Sequence, residues 1–97
     1  MKIEDKITPE RIEKYLKLTA KARSKATPII KNNADKKNLE SMLRMCDDYS
    51  SDARHFLKSG KLVDPFAAIN YAHAWIDAAV KIGLLDGHDD DVLFTLP

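Results

Sequence analysis

The chain has 97 residues, enough for one small domain. Its 44% apolar and 32% charged residues, with a formal net charge of +1, exclude wholesale disorder, which requires low hydrophobicity and a large net charge. No stretch approaches the roughly 18 apolar residues of a membrane span, and the mixed-charge start, MKIEDKITPE, predicts no signal peptide. The single cysteine, Cys46, cannot form an internal disulfide, so we expect a reducing cytoplasm.

Charge is unevenly distributed along the chain. Residues 1–37 hold eleven Lys or Arg and five acidic residues, a net charge of +6. Residues 38–97 hold five basic and ten acidic residues, a net charge of −5. Such a chain can offer a basic face to an anion, or its two halves can pair within or between molecules.

The first predicted helix begins at Thr8, a good N-cap that precedes a proline at the first helical position. Apolar and small residues recur on one arc at helical spacing. The opposite arc carries Lys14, Lys17, Lys21 and Lys25. Pro28 disfavours helical geometry at the residue before it. Because Ile29 and Ile30 need burial, we expect a kink and one further turn, so that this helix spans about residues 8–33.

Two more helices come after it at similar spacing. The second spans about residues 35–59, with Asp35 as its cap and Gly60 as a left-handed C-terminal residue. The third spans about residues 64–82, from the cap-plus-proline pair Asp64-Pro65 to Gly83. The apolar stripe of the second helix consists of Leu39, Met42, Leu43, Cys46, Tyr49, Ala53, Phe56 and Leu57.

The third helix is apolar around most of its circumference. Its polar residues occupy one narrow arc, and the other ~240° hold alanine, isoleucine, valine, tryptophan and tyrosine, at 100° per residue. A helix that is apolar nearly all round must be covered nearly all round. Two neighbouring helices cover only part of it, so we expect the C-terminal tail or a second subunit to cover the rest.

The tail, residues 83–97, is acidic in its middle and apolar at its end. Leaving the side chains of its last residues in water would be costly, so we expect an extended segment that folds back on the bundle or onto a partner chain. The predicted fold is all-α: an antiparallel three-helix bundle with this tail, as a single domain over residues 1–97.

Two blocks of the sequence are similar to a known family. They are Tyr49-Ser50-Ser51-Asp52-Ala53-Arg54-His55-Phe56, followed by Gly60, and Ala68-Ile69-Asn70-Tyr71-Ala72-His73-Ala74-Trp75-Ile76-Asp77-Ala78, followed by Gly83-Leu84. From its first helix to Leu93-Phe94-Thr95 the chain resembles a small archaeal family of helical bundles, the domain of unknown function numbered three hundred and fifty-seven. Many relatives place glycine where this chain has Ala74. The resemblance implies a short antiparallel bundle in an archaeal cytoplasm, and no activity.

One candidate for chemistry is a polar cluster on the second and third helices. Its members share helical faces at spacings of three and four residues: Asp52, His55, Asn70, His73 and Asp77. Carboxylate and imidazole groups suit a divalent metal or acid–base work, which makes a metal-dependent enzyme one hypothesis. No His-Glu-x-x-His or Glu-x-x-His motif accompanies them. The favoured interpretation is an interhelical hydrogen-bond set, with no catalytic residue, no metal ligand and no cofactor.

Two charged segments suggest contacts with ions. The run His88-Asp89-Asp90-Asp91 lacks the glycine and distal glutamate of a calcium loop, so we interpret it as a solvated acidic turn that can meet the basic arc of the first helix. That arc could track phosphates. It lacks a glycine-rich phosphate loop and aromatic RNA-binding motifs. An RNA- or nucleotide-associated accessory domain is therefore the alternative function. The candidate anion-binding face is Lys14, Lys17, Lys21 and Lys25.

The favoured function is protein interaction. Aromatic residues on an alanine-rich face are packing anchors when buried and typical interface hot spots when exposed. We therefore predict a non-enzymatic module that forms a homodimer or docks a protein partner, with no membrane partner. The candidate interface is Tyr71, Ala74, Trp75 and Ala78.

Overall fold

The computed structural model describes all 97 residues. Three helices follow one another: α1 spans Pro9–Lys25, α2 spans Asn33–Lys58 and α3 spans Val63–Lys81. Two short strands, β1 at Thr27–Pro28 and β2 at Leu85–Asp86, pair antiparallel. The prediction of an all-α three-helix bundle is confirmed, with this small strand pair added to it.

The end of α1 differs from the prediction. Thr8 caps the start as expected, because its hydroxyl accepts a hydrogen bond from the Arg11 N–H at 3.2 Å. The helix then ends at Lys25, so the kinked extension to residue 33 is wrong. Ala26 is already extended, since Pro28 offers no backbone donor and disfavours helical geometry before it.

The residues after Pro28 pair with the start of the tail instead of continuing the helix. Thr27 lies opposite Asp86, and the Ile29 N–H donates to the Leu84 carbonyl oxygen at 2.8 Å. These hydrogen bonds pair backbone N–H and C=O groups that would otherwise have been paired within a further helical turn. Ile29 and Ile30 stay exposed, and the expectation that they would be buried is also wrong.

The caps of α2 and α3 are corrected as well. Asn32, not Asp35, caps α2, and its side-chain oxygen accepts from the Asp35 N–H at 2.8 Å. α3 begins one residue before Asp64, and no side chain caps it. Gly60 has a φ of +81° and so ends α2 in the left-handed conformation that the sequence predicts.

α3 lies at the centre of the bundle. It packs against both α1 and α2, whereas α1 and α2 touch each other little. The arc of α3 that faces them is fully apolar: Pro65, Ala68, Ile69, Ala72, Ile76, Ala79 and Val80. No helix combines the length and the apolar character needed to cross a bilayer.

The tail folds back on its own bundle, one of the two positions expected for it. Leu93 and Phe94 join the core, while Val92 stays exposed. Gly87 makes room for this insertion, since a Cβ there would lie 2.9 Å from the Phe94 ring and 3.1 Å from Val80.

Truncating a buried isoleucine should destabilise the protein far more than truncating an exposed one. We expect Ile76→Ala to lower the free energy of unfolding by about 2–5 kcal/mol, because Ile76 is fully buried. Ile30→Ala is the matched control and should lower it by under about 1 kcal/mol, because Ile30 is exposed. Urea denaturation of both variants measures the difference. Equal losses would contradict the described core.

Candidate functional site

The polar arc of α3 binds the tail. Three side chains, each one turn after the last, hold one backbone group of the tail apiece. They are His73 Nε2, donating to the Leu93 carbonyl oxygen at 2.8 Å, Asp77, accepting from the Thr95 N–H, and Lys81 Nζ, donating to the Leu96 carbonyl oxygen at 2.9 Å. The arc that looked like a candidate for chemistry is thus the surface on which the tail lies.

His73 also connects the tail to α1. Its Nδ1 lies 3.0 Å from the Thr19 hydroxyl oxygen. A carbonyl oxygen only accepts, so Nε2 carries the proton toward Leu93 and, in the neutral ring, Nδ1 accepts from the Thr19 hydroxyl. Thr19 is only 3% exposed, so this chain of hydrogen bonds lies inside the protein and joins α1, α3 and the tail.

The other members of the predicted polar cluster lie elsewhere. Asn70 donates to the Phe66 carbonyl oxygen one turn back along α3, at 2.9 Å. Asp52 and His55 are exposed on α2. No group of three or more His, Cys, Asp or Glu side chains is placed so that it could hold a metal ion. The structure therefore brings His73 and Asp77 together on the tail and leaves the rest of the cluster apart.

The acidic turn of the tail meets α1 within the chain. The Asp90 carboxylate accepts from Lys25 Nζ at 2.8 Å and from the N–H groups of Val92 and Leu93. These hydrogen bonds hold the pKa of Asp90 below its usual range, and the hydrogen bond from Lys25 has the largest effect. One ion pair thus anchors the acidic middle of the tail to the basic helix.

The rest of the basic arc remains free. Lys14, Lys17 and Lys21 are exposed, and none of them forms an ion pair. They line one surface depression together with Glu10 and Glu13, which reduce its positive charge. Because Lys25 is paired with Asp90, the candidate anion-binding face retains three free lysines, and two glutamates lie among them.

An apolar stripe along α3 is left uncovered. We call it the α3 stripe, and it consists of Val63, Ala67, Tyr71, Ala74, Ala78 and Ile82, all exposed. Val63 is 70% exposed, Ile82 65% and Tyr71 45%. It carries no charged residue. The tail lies on the polar arc of α3 and not on the α3 stripe. Of the two elements expected to cover the small-residue face, the tail and a second subunit, the tail is therefore excluded.

Aromatic rings border the α3 stripe on the side of α2. Tyr49 packs edge-on against Tyr71, with ring centroids 4.6 Å apart, and Tyr71 packs edge-on against Trp75 at 6.0 Å. The indole N–H of Trp75 is the one buried side-chain polar group without a hydrogen-bond partner. Leaving a buried donor unpaired costs about 1–3 kcal/mol. Of the candidate interface residues, Trp75 is half-buried and the other three are exposed.

A cleft between α1 and α2 is a feature that the sequence did not predict. This α1–α2 cleft has a volume of about 460 Å³. Its lining is Leu16, Thr19, Ala20, Arg23, Ser24, Cys46, Asp47, Ser50 and Arg54. The only signal in the sequence is helical spacing, which places these residues on facing sides of the two helices. How far apart the helices stand depends on packing against α3, which no local pattern reports.

An ion pair joins the two walls of the α1–α2 cleft. The Arg23 guanidinium binds Asp47 side-on, with Nε–Oδ1 at 2.9 Å and Nη2–Oδ2 at 3.2 Å. The Asp47 hydrogen bond raises the pKa of Arg23 above its already high value. Burial, followed by the charge of Asp47, raises the pKa of the Cys46 thiol, which keeps it protonated and a poor nucleophile. The prediction that Cys46 is a core residue is confirmed.

Comparison with known proteins adds the family. A family model described as "Protein of unknown function (DUF357)" matches residues 14–85. The chain belongs to the DUF357 family. The matched region holds most of α1, all of α2 and α3, and the start of β2, and therefore the α3 stripe and the α1–α2 cleft. No curated protein and no solved structure matches the chain.

The anchor of the tail should respond to acid. Because the folded-state pKa of Asp90 is lowered, its stabilising effect is present above its unfolded pKa and is lost as the pH falls through the folded pKa. We expect Asp90→Asn to lower the melting temperature at pH 7, and this deficit to shrink below about pH 4. Thermal melts followed by circular dichroism measure both.

Asp91→Asn is the control for that experiment, since Asp91 is exposed and makes no ion pair. It should match the unmodified protein at each pH. A deficit for Asp90→Asn that stays constant down to about pH 2 would contradict the proposed anchor.

Proposed function

We propose that this DUF357 protein is a self-association module in which the α3 stripe packs on the same stripe of a second copy. The observation that supports the proposal is a stripe of six exposed apolar residues along the central helix of a small domain, bordered at its two ends by Asp64 and Lys81. Contiguous exposed apolar surface of this kind marks interaction sites. A helix of 19 residues is about 28 Å long, which is long enough for a helix–helix interface.

The order of side chains along the α3 stripe favours a second copy as the partner. Consider two antiparallel α3 helices related by a two-fold axis between Ala74 and Trp75. Tyr71 of one copy then faces Ala78 of the other, and Ile82 faces Ala67. At both of these levels a large side chain faces a small one, as close helix packing requires. A two-fold interface needs such self-complementarity, because both copies present the same surface.

The size of the stripe predicts a modest affinity. In this register the large side chains that meet the partner's stripe are Tyr71 and Ile82 of each copy, and burying one such residue is worth about 1.5–3 kcal/mol. Association opposes this with about 4–15 kcal/mol of lost translational and rotational freedom. Even the most favourable balance leaves only about 8 kcal/mol, so we expect a dissociation constant of about a micromolar or higher.

The proposed role is non-enzymatic. His73, Asp77 and Lys81, the titratable side chains of the polar arc, are engaged in holding the tail, and the Cys46 thiol is buried and protonated. A buried free thiol also supports a reducing, cytoplasmic setting.

The alternative proposal, an RNA- or nucleotide-associated domain, rests on Lys14, Lys17 and Lys21. These lysines are exposed and free of ion pairs, as phosphate contacts require. The support is weaker than for self-association because Glu10 and Glu13 share the same depression. No aromatic residue lines that depression to stack on a base.

A charge at the centre of the α3 stripe should separate the two copies. In the proposed dimer, Ala74→Glu places two carboxylates next to the two-fold axis, where they repel and lose water. We expect the dissociation constant to rise at least about tenfold. Sedimentation equilibrium over about 10–500 µM measures it. Ala34→Glu, an exposed helical alanine on α2, is the control and should leave the affinity unchanged. A strictly monomeric parent protein would contradict self-association.

Cross-linking tests the antiparallel register. We expect a short bifunctional thiol reagent to join Tyr71→Cys to Ala78→Cys when the two variants are mixed. It should join Tyr71→Cys to Ala67→Cys far less, since those positions are about 16 Å apart along the helix in this register. Cys46 is buried and stays out of the reaction. Stronger cross-linking of Tyr71→Cys with itself would indicate parallel helices and contradict the register.

A further inference from the structure

The α1–α2 cleft is a half-open groove that is large enough to hold a small molecule. It exists because α1 leans on α3 and stands away from α2. Its volume of about 460 Å³ falls within the range of roughly 300–1,000 Å³ that is usual for ligand pockets. The cleft is lined by α1 and α2, whereas the α3 stripe lies on α3. A ligand can therefore bind in the cleft whether or not two copies associate.

The cleft carries a positive charge from both of its walls. Arg23 of α1 and Arg54 of α2 contribute two guanidinium groups, and Asp47 contributes one carboxylate. Arg54 forms no ion pair and no side-chain hydrogen bond, so all five of its N–H donors are free. Asp47 occupies Nε and one side of Nη2 of Arg23, which leaves the Nη1 donors of Arg23 unengaged.

Arg23 is held in place before any ligand arrives. The side-on pair with Asp47 fixes the plane of its guanidinium. The two side chains are 40% and 53% exposed, and pairs this exposed add little to stability. The pair is therefore more useful for orienting a guanidinium than for stabilising the fold. A pre-oriented guanidinium loses less conformational entropy when it binds an oxyanion.

The remainder of the lining is small and hydroxylated. Ser24 lies at the surface of the cleft, and Ser50 and Thr19 are buried at its base. None of the lining residues is aromatic, so there is no platform on which a nucleobase could stack.

We infer that the α1–α2 cleft binds a small phosphate ester with a hydroxylated body, of the sugar phosphate class. Arg54 and Arg23 hold the phosphate from opposite walls, since the guanidinium fork matches its oxygens. The serine hydroxyls and Asp47 hydrogen-bond the hydroxyl groups of the body. The small side chains Ala20 and Ser24 leave the space that the body occupies.

Ribose 5-phosphate is a suitable probe, measured by isothermal titration calorimetry against the full chain. We expect saturable binding with a dissociation constant below about 1 mM, and at least tenfold weaker binding by Arg54→Gln. Arg44→Gln is the matched control, because Arg44 is an exposed α2 arginine that lies outside the cleft and forms no ion pair. It should bind like the unmodified protein.

Two further ligands and a second readout make the test decisive. Ribose should not bind, since it lacks the phosphate, and inorganic phosphate should bind more weakly than ribose 5-phosphate, since it lacks the hydroxylated body. In amide NMR spectra, ribose 5-phosphate should shift residues 19–24 and 46–54. The inference is overturned by no saturable binding up to about 10 mM, by equal losses in Arg54→Gln and Arg44→Gln, by equal affinity for inorganic phosphate, or by shifts confined to other residues.

Discussion

The need to cover a helix that is apolar around most of its circumference governs the rest of this structure. α1 and α2 cover the arc of α3 that holds Ile69, Ile76 and Val80. The tail covers the narrow polar arc, because the side chains of that arc form hydrogen bonds with the backbone of the tail. Three helices and a short tail leave no element for the third arc, because a domain of this size has little chain to spare. The α3 stripe is left open, and its exposure is the basis of the proposed self-association.

The charged residues act mainly within the chain. The basic first part and the acidic second part are joined by two ion pairs, Lys25 with Asp90 and Arg23 with Asp47. The first anchors the tail to α1, and the second spans the α1–α2 cleft. His73 joins α1 and the tail to α3 through two hydrogen bonds. Two of the side chains that suggested catalysis, His73 and Asp77, therefore fasten the tail to the central helix, and Arg54 is left as a free cation in the cleft.

Local patterns in the sequence predicted the helices and their buried faces, because helical periodicity and caps depend on near neighbours. They placed α2 and α3 within about two residues and put Tyr71, Ala74 and Ala78 on one face. They failed at Ile29 and Ile30, because backbone pairing with the start of the tail holds this segment in place while both side chains stay exposed. The pairing of β1 with β2, the tail bound to the polar arc and the α1–α2 cleft are non-local. Each depends on backbone groups or helix spacing that leave no trace in side-chain patterns.

In the proposed self-association, the α3 stripe is exposed in the monomer and covered in the dimer. Solvent paramagnetic relaxation of the alanine methyl groups tests this most directly, over a dilution series of methyl-labelled protein. Ala72 and Ala79 are fully buried and serve as internal references. We expect the methyls of Ala74 and Ala78 to relax strongly in dilute protein and to become shielded as concentration rises, while the references do not change. Methyls of Ala74 and Ala78 that stay equally accessible at every concentration would contradict self-association through the stripe.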